Sequence, residues 1–252
     1  MRAEGFVLYP HDPSVARWAQ AAGRVARRIA RDPAWHGPDN LRHGGTWFVG
    51  VDALPNASDG AIDGVPLLGP WRGAVPDIPL HPAQLSIVYP GYPQQDAGES
   101  DANHRFRRDR MAAHVDGLLP IGPQRRRFAR EFHAYILALP LTDVRAAATV
   151  VWPGSQRIMQ TALQEAVGAR PVAQVDLTDA YQAARREVFA SIDPVRLLIG
   201  PGQSALLHRF LLHGTAPWEN RIADKAGHGR MTAFLRPEMP GGGSDWLASD
   251  PV

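Results

Sequence analysis

The sequence predicts a mainly β fold with flanking helices, a closed or double-sheet architecture for which the jelly roll is the commonest solution. Three observations point there. Short β-branched and aromatic runs, bounded by glycine and proline, recur along most of the chain. Helical periodicity is confined to one segment near the N-terminus and two adjacent segments in the second half, and no internal repeat is visible.

After Asp12-Pro13-Ser14, residues Val15, Trp18, Ala22, Val25 and Ile29 form one apolar stripe opposite a row of arginines. That spacing predicts an amphipathic helix from Val15 to Ala30 that buttresses a core. Gly44 to Leu54 and Leu85 to Tyr89 read as strands. The stretch from Ala53 to Pro82, dense in Gly, Pro and Asp, and a second from Tyr89 to His104 read as irregular insertions on the surface or over a site mouth. Strands are expected over Glu131 to Leu141 and Ala146 to Val151. The turn signal Trp152-Pro153-Gly154-Ser155 follows, then helices over Gln156 to Val167 and Thr178 to Ser191. Strand patterns return at Val195 to Ile199, Ser204 to Leu212 and Arg230 to Leu235, before a Gly-rich tail marked by proline.

A length of 252 residues with 44% apolar composition fits one domain. Its expected parts are an N-terminal support over about 1–83, a β core over about 84–237 and a tail over 238–252. The formal net charge is +2, and of 27 basic residues Lys225 alone is lysine. With no cysteine there is neither a disulfide nor a thiolate ligand, so any metal must be held by histidine and carboxylate. The first thirty residues carry no secretory apolar run, and no stretch reaches bilayer length, so a cytoplasmic protein is expected, with no membrane partner.

The chemistry-bearing residues are His114-Val115-Asp116 and, far downstream, His213. Two imidazoles and one carboxylate hold a divalent metal by one face and leave coordination positions open. With 10 His and 25 acidic residues, about one His-x-Asp/Glu arises by chance, so context must carry the pair. On a strand, residues i and i+2 share a face and converge on one ion. His213 ends an apolar stretch from Gly202 and precedes Gly214, a suitable place for a third ligand. On one regular strand His208 would face away from His213, which gives it a hydrogen-bonded structural role and makes it the reserve ligand. His104 and His133 match no motif and read as structural or solvated.

In order, His114-x-Asp116, Pro153-Gly154-Ser155 followed by a helix, Gly202-x-x-x-x-Leu207-His208, and His213-Gly214 with Asn220 shortly after resemble the phytanoyl-CoA dioxygenase family of iron(II)- and 2-oxoglutarate-dependent oxygenases. The match covers roughly residues 84 to 237. Gln156 stands where the family turn usually continues with histidine, and Ala146 to Thr149 replace its usual Asn-Gly. The resemblance implies a double-stranded β-helix, cupin-like core, with iron held by His114, Asp116 and His213. It also implies 2-oxoglutarate and O2 as co-substrates, with release of succinate and CO2, and an arginine on a late strand gripping the far carboxylate of the oxoacid. Arg230 is the first choice, because Arg230, Thr232 and Phe234 alternate on one strand and a guanidinium fork matches a carboxylate. Arg221 and Arg236 are alternatives, and an inserted loop from Ile222 to Gly229 accounts for the long gap after His213. One arginine balances the charge of iron, Asp116 and the dianionic oxoacid. Retention of Asp116 implies hydroxylation rather than halogenation.

Tyr135, Trp47, Phe48 and Trp152 are candidates for the cavity wall, Tyr135 also as a contact to the oxoacid. Arginines 105, 107, 108 and 110 and arginines 125, 126, 127 and 130 flank the iron motif. Such runs are usually solvated; functionally they suit a small anionic substrate or nucleic acid. The leading expectation is a hydroxylase of a small anionic metabolite. Its rivals are a nucleic-acid dealkylase, suggested by Arg230 and Arg236 with five residues between them as in those enzymes, a non-catalytic metal- or ligand-binding module, and a metal hydrolase or isomerase on a cupin-like barrel.

Overall fold

The computed structural model describes residues 3–219 and 227–248. Strand β1 (Phe6–Tyr9) leads into helix α1 (Pro13–Arg31). Asp12 stays extended (φ −121°, ψ 129°), its carboxylate accepts the N–H groups of Ser14 and Val15, and Pro13 opens the first turn. Of the predicted apolar stripe, Val15, Trp18, Ala22 and Val25 are buried and Ile29 is half-buried, with Trp18 fully enclosed and its indole N–H donated to the Gly60 carbonyl at 2.8 Å.

Next come β2 (Leu41–Arg42), β3 (Trp47–Leu54), β4 (Ala83–Val88), α2 (Asp101–Asp109), β5 (Leu118–Ile121), β6 (Arg126–Ala129), β7 (Tyr135–Pro140) and β8 (Thr149–Val151). Helices α3 (Ser155–Val167) and α4 (Thr178–Ser191) follow, then β9 (Val195–Leu197), β10 (Ser204–His208), β11 (His213–Thr215), β12 (Arg230–Leu235) and α5 (Gly242–Ala248). Among the described residues no helix is long and apolar enough to cross a membrane.

A seven-stranded sheet has the order β1-β10-β7-β12-β4-β3-β2, a three-stranded sheet the order β11-β8-β9, and β5 and β6 form a hairpin. Every pairing is antiparallel. From β4 the chain winds between the sheets: β4 in the large one, a bridge at His114 beside β11, β7 in the large, β8 and β9 in the small, β10 in the large, β11 in the small, β12 in the large. That alternation is the double-stranded β-helix, or jelly roll. Ile136, Ala138, Ala205 and Leu207 of the large sheet meet Val151 and Leu197 of the small one in the layer between them. The large sheet's other face packs on α1. The outer side of the small sheet is covered by α3, α4 and α5.

The three predicted helices form with nearly the predicted bounds. Two strand expectations change. The apolar run from Ser204 to Leu212 is not one strand: β10 ends at His208, a turn closes with the Leu211 N–H donating to the His208 carbonyl at 2.9 Å, and β11 begins at His213 in the other sheet. Burial runs unbroken through the turn, with His208 and Arg209 enclosed along with the apolar residues on either side, so periodicity cannot reveal the crossing. His114 and Asp116 lie not on a regular strand but on a single bridge and the turn after it. Helix α2, capped by the Ser100 hydroxyl accepting the Asn103 N–H, arises where the sequence suggested irregular chain, because it buries no residue and so shows no apolar stripe. Strands β1, β5 and β6 and helix α5 are likewise unpredicted.

Candidate metal centre

The three predicted ligands converge. His114 donates its backbone N–H to the His213 carbonyl at 2.8 Å and receives the His213 N–H at 3.0 Å, which sets the imidazoles side by side with ring centroids 4.5 Å apart. Asp116 swings back beneath them through the turn at Gly117, whose φ of +82° and contact with the Glu131 carbonyl exclude a side chain. Gly214 serves the same approach from the other side, because a Cβ there would overlap the Met111 carbonyl. Nε2 of His114 lies 3.2 Å from Asp116 Oδ1, and Nε2 of His213 lies 3.6 Å from Oδ2.

The imidazoles are oriented by their own chain. Nδ1 of His114 sits 2.9 Å from the Ala112 carbonyl and Nδ1 of His213 2.9 Å from the Leu211 carbonyl. A carbonyl only accepts, so each Nδ1 carries the proton and each Nε2 offers its lone pair to the centre. Burial pushes His213 down to about 4, so the ring is neutral at pH 7. Burial alone would raise Asp116, but the guanidinium of Arg236 and the two imidazoles outweigh it and hold the carboxyl well below its ordinary range. Arg236 Nε lies 2.9 Å from Oδ2 without the alignment of a hydrogen bond, so this buried oxygen keeps no hydrogen-bond donor. Two imidazole lone pairs and an orphaned carboxylate oxygen fit a divalent cation.

A cavity of about 570 Å³ opens on the triad. Trp47, Phe234, Thr149 and Arg236 face it, and Trp47 donates its indole N–H to Ser86 at 2.9 Å. Arg230, Thr232, Phe234 and Arg236 alternate along β12 and its extension and so share a face. Arg230 is buried, donates to Thr149 Oγ1 at 2.9 Å and has no carboxylate within ion-pair distance among the described residues. Its desolvation lowers its pKa to about 10. Beside it the Thr232 hydroxyl is buried without a hydrogen-bond partner. Arg236, the alternative anchor, is occupied by Asp116 and by Gln84, which accepts its guanidinium at 2.9 Å. Arg221 and Asn220 lie outside the described residues.

Tyr135 is not brought to the triad. Side chains alternate along β7, so Tyr135, Leu137 and Leu139 face α1 while Ile136 and Ala138 face the sheet interior. Tyr135 lines a separate cavity of about 170 Å³ with Trp71 and Arg72. Phe48 faces α1 as well, and Trp152 packs edge-on against Phe189 beneath the helices. His208 is buried and accepts the Phe210 N–H at Nδ1, 3.1 Å away, the structural role expected of it, although the parity argument does not apply across a turn. His133 pairs with Glu131 at 3.1 Å, and Gln156 is buried with its amide donated to the Ala3 carbonyl. Sequence reasoning missed Thr149 as a partner for Arg230 and missed Phe106, Tyr181 and Arg185 in the cavity wall. The helical pattern of Tyr181, Ala184 and Val188 marks a packed face but not which neighbouring residues reach a cavity.

A second group, His43, Asp96 and Glu99, also brings ligand atoms within 4.8 Å of one another. Its carboxylates are already taken: Arg107 pairs with Glu99 at 2.6 Å, and Asp96 accepts the Gly44 N–H at 2.8 Å. A further cavity of about 590 Å³, walled by Phe132, Val167, Val172 and Leu247, lies away from the triad and is largely apolar.

Fold and site together define a jelly roll that gathers two imidazoles and one carboxylate at the mouth of a cavity, the facial arrangement suited to a divalent first-row metal. No family model and no curated protein matches the chain. Solved structures do. The non-heme alpha ketoglutarate dependent carbocyclase SnoK from nogalamycin biosynthesis is 16% identical at a TM-score of 0.48, over 100% of this chain and 90% of that one. EctD from S. alaskensis, with 2-oxoglutarate and 5-hydroxyectoine, is 17% identical at 0.44 over 94% and 73%. The non-heme alpha ketoglutarate dependent epimerase SnoN, also of nogalamycin biosynthesis, is 14% identical at 0.46 over 100% and 89%.

Proposed function

We propose that this chain is an iron(II)- and 2-oxoglutarate-dependent oxygenase that hydroxylates a small anionic metabolite. The observation that carries the reading is the convergence of His114, Asp116 and His213 with both Nε2 lone pairs and an orphaned Asp116 oxygen turned to one point. Iron(II) with 2-oxoglutarate would supply oxidising power from O2, leaving succinate and CO2 as the substrate C–H bond becomes C–OH. The protein's task is position and dryness.

His114, Asp116 and His213 hold the metal by one side. Nδ1–H of each ring stays donated to the Ala112 or Leu211 carbonyl, which fixes the tautomer that offers Nε2 to the metal. Arg230 is the anchor for the far carboxylate of the oxoacid. A buried guanidinium with no acidic partner is costly unless an anion completes it, and Thr232 offers the same ligand an unused hydroxyl. Thr149 orients the Arg230 fork. Arg236 keeps Asp116 ionised, hence a ligand rather than a proton donor, across the physiological range. Trp47 and Phe234 add apolar surface to the cavity wall.

Anaerobic titration of iron(II) followed by 2-oxoglutarate tests the reading. Wild-type protein binds both. Asp116→Ala loses the metal, and Arg230→Gln keeps the metal but loses the oxoacid by about ten-fold or more. Failure of the wild type to bind iron(II), or an oxoacid affinity indifferent to Arg230, sinks it. A second reading, dealkylation of a nucleic-acid base, is favoured by the arginines at the cavity mouth. Steeply salt-dependent binding of single-stranded DNA would mark it.

A further inference from the structure

Strand alternation sorts Arg126 from Arg127 on β6, and Arg125 stands in the turn just before them. Arg126 points outward, where the Asp176 and Asp179 carboxylates accept its guanidinium. Arg127 points the other way and, with Arg125 of the turn, lines the cavity that holds the triad; neither meets a carboxylate among the described residues. Arg125 closes the β5–β6 turn with φ +52°, a left-handed conformation that Gly or Asn adopts far more readily, so the backbone does not explain an arginine there.

A third cation arrives from α4. The Arg185 guanidinium lies 4.5 Å from the Phe106 ring centroid and 5.2 Å from that of Tyr181, pinned between two aromatic faces. Arg127 donates one N–H to the Leu118 carbonyl at 2.9 Å. Burial lowers its pKa; Tyr181 opposes that shift, and the charges of Arg125 and Arg185 add to it. Three guanidinium groups thus line the one cavity, Arg127 and Arg185 half-buried and Arg125 exposed. The cavity's own carboxylates among the described residues, Asp116 and Glu131, are committed to Arg236 and His133.

Like charges held together without a counter-charge repel, and in a partly desolvated wall an anion is what relieves them. We infer that Arg125, Arg127 and Arg185 form a binding subsite for the acidic group of the substrate, a phosphate or a carboxylate, on the cavity wall formed by β6, α2 and α4. Guanidinium forks bind either group through paired N–H donors, and the Phe106 and Tyr181 rings keep Arg185 from collapsing onto another partner. Specificity then follows from reach: a molecule must place its acid on this wall while presenting a C–H bond at the metal. The name "substrate" rests on the oxygenase reading; the anion site itself does not.

The test uses full-length protein without added metal, titrated calorimetrically with inorganic phosphate and, separately, with acetate. We expect one of them to bind the wild type and to weaken about ten-fold or more in Arg125→Gln and in Arg185→Gln, with Arg126→Gln unchanged. The tighter probe names the acid. Neither substituted side chain makes a hydrogen bond among the described residues, and circular dichroism checks that both variants fold; should Arg185→Gln lose its packing, Arg125→Gln decides. Absence of anion binding, equal binding by all four proteins, or displacement of phosphate by a single-stranded oligonucleotide at far lower concentration overturns the small-acid subsite. Iron(II) titration of the same samples separates the two ideas. Metal binding without anion binding removes only the subsite; anion binding with the expected variant pattern but no metal binding upholds the subsite and removes the oxygenase.

Discussion

Each ligand imidazole donates Nδ1–H to a carbonyl two residues upstream, so the side chains that hold a metal owe their orientation to local chain rather than to remote partners. Asp116 differs, since its state depends on Arg236 from β12's end. In the absence of metal, Arg236→Gln should lower stability by about 2 kcal/mol, less than a fully buried broken pair because Arg236 retains some exposure. A divalent ion takes over the neutralisation of Asp116, so the deficit should shrink when Mn(II) is present. Urea unfolding with EDTA and with Mn(II) measures both; an identical deficit in each would count against metal at Asp116. His208 supplies a pH prediction. Burial, aided by Arg209, lowers it to about 3, while in the unfolded chain it titrates near 6.5. The unfolded state therefore binds more protons between those values. The stability contributed by neutral His208 is complete above pH 6.5, falls by about 1.4 kcal/mol per pH unit below it, and is gone near pH 3. His208→Asn, which keeps an acceptor for the Phe210 N–H, should flatten the curve of stability against pH in that window. Unchanged curvature would contradict a buried neutral ring.

Elements were legible where one face is buried and the other solvated. Helix α1 is the clearest case: cap, proline and stripe agree, and the structure returns the helix within a residue or two. Its cap is open to measurement, for Asp12→Ala should cost about 1 kcal/mol of unfolding free energy through two lost N–H acceptors. A cost below a few tenths in chemical denaturation would mean that the large sheet alone holds the helix start. Legibility failed in two opposite situations. Helix α2 packs through the half-buried Phe106 and buries no residue fully, so nothing periodic announces it. From Ser204 to Leu212 everything is buried, so a strand, a turn and a change of sheet look alike. The candidate site shows the same limit, since the ligands were found by residue type and order, while the turn that delivers His213 to His114 was not.

At the scale of the molecule, the triad ties the edge of the small sheet to the segment that precedes the β5–β6 hairpin, closing a long loop of chain. A metal there binds the folded state alone, so it should raise stability by about 2.7 kcal/mol at a hundred-fold excess over its dissociation constant. Thermal unfolding with Co(II) or Mn(II) against EDTA checks this, with Asp116→Ala as the protein that should show no shift. The same assembly sorts the arginines. Arg126 meets acid on the outside, Arg236 meets Asp116, Arg230 sits buried beside Thr149, and Arg125, Arg127 and Arg185 share the cavity wall.

By itself the sequence determined the β-rich class, the three helices with a buried stripe, and the residues able to ligate a metal, because periodicity and side-chain chemistry are properties of the chain read locally. The tertiary structure alone decided that Tyr135 turns to α1 rather than to the triad, that β10 and β11 belong to different sheets, and that Arg126 and Arg236 meet carboxylates. Those outcomes depend on which face of a strand is turned to which layer and on the charge left unbalanced there, and both arise only when distant segments pack together.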